Sequence, residues 1–407
     1  MLAIRVLSQV FAAALTITVA RGLGETGLGQ YAFLASLLMI ANVATTFGTD
    51  TYLIRDLAAR PGNAPGPLKT VLAVQLTFSG LVIVACWITA LADYLPSDIN
   101  RTLPVFSLSL IPLAFYSVFS AVLRARERLD QYLLVTLIYS GAQAIGAWIV
   151  IRLGGGLMGL AFLTLAASLS SSFLAGQLCR RSVPGLFLSQ PIPLKAALKI
   201  IQLALPLALL ALLGVIYQRS SVILLAWLAG EAAAGWYSAS FRVVEMLKIV
   251  HFSVLGGLFP LLARLSVQEE GLLSSRLGGF RSLSRWSFWL LGGISLVAAL
   301  ALGIAAPVLI NLVYGYEFGP SVHVLQSYAW ILVPYAVTSH QSLVLVVRGQ
   351  ERMVLVATGL ALFLLMGLSL VLIPAMGALG AARAMLGAEA GLAIMLWAYR
   401  KMQEERS

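Results

Sequence analysis

The feature that most constrains this chain is a succession of apolar runs, each about 20 residues or longer, separated by short turns rich in Gly, Pro and charge. A run of that length spans the roughly 30 Å of bilayer hydrocarbon at about 1.5 Å per residue. Twelve such runs are readable: 2–20, 30–48, 68–91, 103–123, 131–151 and 157–178, then 200–228, 236–257, 286–310, 324–347, 353–373 and 378–399. Over the 407 residues, 60% are hydrophobic and 11% charged. Soluble domains carry about 25% charged residues, so this chain lacks the polar surface of a water-soluble globule. Twelve spans with short connections leave no length for a sizeable soluble domain.

The formal net charge of +11 would suggest nucleic acid for a soluble protein. In a polytopic membrane protein the same excess reflects basic loops on one membrane face, and no nucleic-acid partner is expected. The distribution bears this out. Loops on one side hold Arg55, Arg60 and Lys69; Arg124, Arg126 and Arg128; Arg180, Arg181, Lys195 and Lys199; Arg264, Arg276, Arg281 and Arg285; Arg348 and Arg352; and Arg400, Lys401 and Arg406. The opposite loops hold only Arg21, Arg101 and Arg152. The asymmetry predicts an even number of crossings with both termini in the cytoplasm of a bacterial inner membrane. Arg5 precedes an apolar stretch with no clear small-residue cleavage site, which reads as a retained first helix. Cys86 sits in an apolar run and Cys179 beside Arg180, so no disulfide framework is expected.

The two halves echo one another. Leu23-Gly24-Glu25-Thr26-Gly27-Leu28-Gly29-Gln30-Tyr31 is matched by Ala229-Gly230-Glu231-Ala232-Ala233-Ala234-Gly235-Trp236-Tyr237. Arg124-Ala125-Arg126-Glu127-Arg128 is matched by Arg348-Gly349-Gln350-Glu351-Arg352, and Gly156-x-x-Gly159-x-Ala161 by Gly377-x-x-Gly380-x-Ala382. Three matches in one order indicate a duplicated six-helix unit. An even helix number per copy makes the copies parallel, related by an axis along the membrane normal. The expected fold is therefore all-α and integral to the membrane, with about twelve helices in two parallel six-helix bundles around a central cavity. The N-terminal bundle is placed at 1–182 and the C-terminal one at 183–407, joined through Pro184, Pro191 and Pro193.

Several motifs resemble a known family. They are Arg21-x-Leu23-Gly24-x-x-Gly27-x-Gly29-x-Tyr31, Asp50-Thr51-x-Leu53-Ile54-Arg55-Asp56, Leu205-Pro206-Leu207, Tyr217-x-Arg219, Gly235-x-Tyr237, Arg242, Phe259-Pro260 and Leu312-Val313-Tyr314-Gly315-Tyr316-Glu317-Phe318. Together they are similar to oligosaccharide flippases of the polysaccharide transporter family, in the superfamily that also holds multidrug-and-toxin extruders and the lipid II flippase. The resemblance implies a twelve-helix flippase carrying polyprenyl-diphosphate-linked glycan, an O-antigen or exopolysaccharide unit, across the bilayer. The resemblance also points to a polysaccharide polymerase or export machinery as a protein partner. Where many relatives have Asp two residues after the seventh-helix Arg, this chain has Ser221, which removes that carboxylate from any relay.

Five basic residues fall inside the predicted spans: Arg5, Arg219, Arg242, Lys248 and Arg383. Each costs roughly 2.5–3.5 kcal/mol at mid-bilayer on insertion scales, so such residues face water or a partner. On the eighth helix Arg242, Glu245, Lys248 and His251 recur every third residue, a ridge about 13 Å tall. It reads either as a polar cavity wall or as an Arg242–Glu245 pair that locks helices together. Arg219 lies either in the interior or at an interface, and Arg5 is near enough to a helix end to snorkel. Arg383 with Glu389 reads as a cavity pair or a bundle-locking pair. His340, in Thr338-Ser339-His340-Gln341-Ser342, belongs to a cluster suited to sugar hydroxyls or to hydrogen bonds between packed helices. Five basic and two acidic interior residues suit a diphosphate, whose oxygens match an Arg fork.

No phosphate-loop motif is present, His251, His323 and His340 make no metal constellation, and no catalytic set is readable, so neither an enzyme nor a cofactor or metal site is expected. A cation-coupled multidrug exporter of the same fold would want a carboxylate in helix one or seven, and neither predicted span has one. The lipid II flippase typically carries two further helices.

Overall fold

In the computed structural model the described residues are 2–59, 65–182, 194–270 and 278–406. They are helical almost throughout. The prolines of the 183–193 linker and residues 60–64 of the Pro/Gly loop lie outside the described residues.

Two compact units emerge, Met1–Arg219 and Ser220–Ser407. The first contains α1 (Leu2–Thr46), α2 (Thr49–Ala59), α3 (Pro65–Leu91), α4 (Ser97–Leu108), α5 (Leu110–Ala125), α6 (Leu129–Arg152) and α7 (Gly156–Ser182). The division falls within α8 (Leu194–Leu228), whereas the repeat boundary read from sequence, 182/183, precedes that helix. The second unit continues with α9 (Glu231–Glu270), α10 (Gly278–Val313), α11 (Pro320–Tyr328), α12 (Leu332–Val347), α13 (Glu351–Met376) and α14 (Ala378–Arg406).

Among the described residues, ten helical segments are long and apolar enough to cross a membrane. One of them, α1, breaks at Gly24, whose φ of 69° is unavailable to a helix, and so supplies two crossings. The 40-residue α9 has the length for a further crossing, in keeping with the expected twelve. The protein is a multi-pass, all-α integral membrane protein.

Side-chain placement is that of a helix bundle in lipid. Phe363, Val371, Ile304 and Val308 point outward, each at least two-thirds exposed. The small residues face in: Ala381, Ala382, Ala384 and Ala388 of α14 are fully buried. Without a hydrophobic drive between lipid-immersed helices, close backbone approach through small residues supplies the packing. Cys86 and Cys179 are both free thiols.

The repeat is visible in backbone geometry. Gly24 (φ 69°) and Gly230 (φ 89°) make matching breaks. Gly156 (φ 56°) and Gly377 (φ 55°) open α7 and α14, and Ala161 and Ala382 are both fully buried. α5 and α12 are both 16 residues long. Each is the second half of a broken crossing, α5 following the break at Ser109 and α12 following a short 3-10 turn at Ala329–Ile331.

The middle echo needs correcting. After α5 the amides of Arg126, Glu127 and Arg128 donate to Val122, Arg124 and Leu123. After α12 the amides of Arg348, Gly349 and Gln350 donate to Val344, Val346 and Leu345. The structural register thus pairs Arg126 with Arg348, two residues away from the sequence match. Backbone groups build this turn, which leaves the charged side chains around it free to shift.

Candidate functional site

The ridge foreseen on the eighth crossing lies on α9. Arg242 Nη1 donates to Glu245 Oε2 at 2.9 Å, with both side chains 22% exposed. This bond joins two residues one turn apart, so by itself it ties α9 to no second helix. One turn further on, Lys248 Nζ stands 4.5 Å from the ring centroid of Tyr335 on α12. His251 is buried; its Nε2 is 2.7 Å from Ser295 Oγ of α10, and its ring meets Tyr335 edge-on at 5.3 Å. Tyr335 is thus the hub between Lys248 and His251. Three residues after it, Thr338 donates to the buried carboxylate of Glu389 on α14 at 2.5 Å.

An aromatic floor lies beside the ridge. Tyr237, Phe241 and Tyr328 pack with ring centroids 5.4–6.1 Å apart. Tyr314, just past the end of α10, is buried. Burial pushes its hydroxyl up to about 12 while the nearby Arg242 charge pulls it down, so Tyr314 stays protonated at neutral pH. The Leu312–Phe318 motif therefore lies within electrostatic reach of Arg242.

On this face of the second unit Arg242 and Lys248 are balanced by Glu245 and Glu389. Arg219 belongs to the first unit, where its Nε contacts Met39 Sδ of α1 at 3.2 Å. α8 continues nine residues past it to Leu228, so Arg219 is not at a helix end. Arg383 is exposed near the start of α14 and meets Met376 Sδ at 3.4 Å. The pairing with Glu389 is not formed, because six residues of helix separate them by about 240°. The side chain of Arg5 lies outside the described residues.

His340 meets a neighbouring helix. Its Nε2 is 3.1 Å from Ser287 Oγ of α10 and its ring stacks edge-on with Phe288. Gln341 likewise accepts from Arg400 of α14 at 3.0 Å. The cluster on α12 thus serves bonds between packed helices. Sequence reasoning missed Tyr335, whose signal was its place one turn before Thr338. It also missed the Asp50–Arg124 ion pair, 3.4 Å long, which fastens the start of α2 to the end of α5. Gln75 of α3 braces the same corner by donating to Thr49 Oγ1 at 2.9 Å.

The fold is that of the transporters grouped in the MOP superfamily. A multidrug resistance MATE family transporter in its inward-facing conformation matches with a TM-score of 0.76 at 18% identity, over 97% of this chain and 94% of that one. Lipid II flippase MurJ, inward closed, matches with a TM-score of 0.77 at 12% identity, over 97% and 86%. A MOP superfamily transporter from Pyrococcus furiosus matches with a TM-score of 0.64 at 17% identity, over 99% and 93%. Among curated proteins none matches the sequence. The family model described as polysaccharide biosynthesis protein matches residues 1–266, and the chain belongs to that family.

Proposed function

We propose that this protein is a flippase for polyprenyl-diphosphate-linked oligosaccharide units, O-antigen or exopolysaccharide repeats, in the bacterial inner membrane. Its two six-helix repeats alternate access to the cargo from either side of the membrane, and both termini are cytoplasmic. Arg242, Lys248 and Arg219, with Arg5 and Arg383 nearer helix ends, supply positive charge to the diphosphate. Glu245, Glu389, His251 and His340 set the orientation of their neighbours.

The observation that carries this reading is the half-buried Arg242–Glu245 pair within α9. A membrane helix that keeps an ion pair partly open has a place for an anion to compete for the guanidinium. An Arg fork matches phosphate oxygens with two parallel bonds. Membership in the polysaccharide biosynthesis family supports a glycan cargo, and the shared fold supports translocation over catalysis.

One observation favours a second reading. Glu389 is a buried carboxylate within the membrane, and buried acids in transporters serve proton and cation coupling. A cation-coupled multidrug exporter would use it so. Reconstitution separates the two. Proteoliposomes bearing the purified protein should expose a fluorescent polyprenyl-diphosphate-linked glycan to an impermeant reagent faster than protein-free vesicles. Absence of that flux, with export of an organic cation instead, would overturn the flippase assignment.

A further inference from the structure

Where α10 begins and α12 and α14 end, the second unit holds a cavity of about 540 Å³ lined by Ser284, Arg285, Gln341, Trp397, Arg400 and Lys401. Among the described residues three cations line it and no carboxylate does. Arg400 is held in place by its bond to Gln341 at 3.0 Å. Lys401 Nζ stands 5.7 Å from the Trp397 ring centroid. Ser284 is fully buried, and among the described residues its Oγ meets no hydrogen-bond partner. An unmatched buried hydroxyl costs about 1–3 kcal/mol, and an anionic oxygen in this cavity would accept from it.

The surroundings place the cavity at headgroup depth. Trp286, Trp289 and Trp397 are each at least half exposed, as in the aromatic belts that mark membrane interfaces. Trp289, Gly293 and Val297 continue from Arg285 along one row of α10, four residues apart, and with Ile294 they line a wholly apolar groove. The apolar groove therefore begins at Trp289, one turn along α10 from Arg285 of the cationic cavity.

We propose that this cavity binds the phosphate headgroup of an anionic bilayer phospholipid, one of whose acyl chains follows the α10 groove. Guanidinium forks and a lysine point charge suit a phosphate, and basic pockets between membrane helices recognise acidic lipid headgroups in this way. The volume admits a phosphate headgroup. The site lies within one unit, and it stands whether or not the transport reading does.

The test is native mass spectrometry of the purified full-length protein with phosphatidylglycerol and phosphatidylcholine supplied together. At least about tenfold preferential retention of phosphatidylglycerol is expected. The Arg285→Gln/Lys401→Gln variant, which leaves the Arg400–Gln341 bond intact, should lose most of that preference, while Arg101→Gln in the first unit should keep it. If the double variant does not fold, Ser284→Ala and Lys401→Gln tested singly should each weaken it. Equal retention of the two lipids, or a preference unchanged in these variants, overturns the assignment. Displacement of phosphatidylglycerol by equimolar polyprenyl diphosphate overturns it too, since the cavity would then belong to the cargo.

Discussion

Arg242 and Glu245 share one turn of α9 and a bond of 2.9 Å, so the two residues answer to substitution in a way that separates anion binding from packing. Arg242→Lys keeps the charge but loses the fork, and glycan-lipid flux should fall partially. Arg242→Gln should lower it about tenfold or more, and Arg242→Glu should abolish it, with membrane-inserted protein unchanged. Flux normalised to inserted protein reads all three. Exchange of the pair, Arg242→Glu with Glu245→Arg, keeps the bond but moves the guanidinium one turn, and rescue of flux by that exchange would sink the anion role. The ridge itself was legible in sequence because every-third spacing fixes a helix face. Its partners were not. Which aromatic ring receives Lys248, and that Thr338 rather than Arg383 meets Glu389, depend on how α9, α12 and α14 pack, and no spacing along one helix encodes that.

At the level of the helix, the third echo gains a physical reason. Gly377 turns the chain with positive φ, and Gly380 then brings α14 against the end of α13, where an added Cβ would run into the carbonyl of Leu372. The obstacle is backbone and cannot rotate aside. Gly380→Ala should therefore destabilise the protein by about 1–3 kcal/mol, read as a lowered thermal midpoint in detergent, with Gly380→Val worse. An unchanged midpoint would mean that α13 and α14 do not approach so closely. The crossings were readable from length and apolarity alone. The interruptions were harder: Ser109 and Ala329–Ile331 break helices inside continuous apolar runs, where composition does not change. Only the glycine breaks at Gly24 and Gly230 announced themselves, through the residue type that positive φ demands.

Over the whole chain, orientation rests on where the basic residues fall, and labelling tests it directly. With Cys86 and Cys179 replaced, a cysteine at the exposed Ser97 should react with an impermeant thiol reagent applied to the periplasmic side, and one at the exposed Glu127 only after the inner membrane is opened. The reverse pattern at either position would remove the six-plus-six topology. The duplication was legible in sequence even though one of its three matches was two residues out of register, because turn geometry repeats more faithfully than the side chains that decorate it. The ion pair inside α9 also bears on how such a chain is made. A nascent segment leaving the translocation channel must shed water from each charge it brings into lipid. Because Arg242 and Glu245 neutralise one another within a single turn, α9 needs no other helix to screen them on entry. Lys248 also takes the ring of Tyr335 from a crossing synthesised two later, so that contact forms only once α12 has arrived.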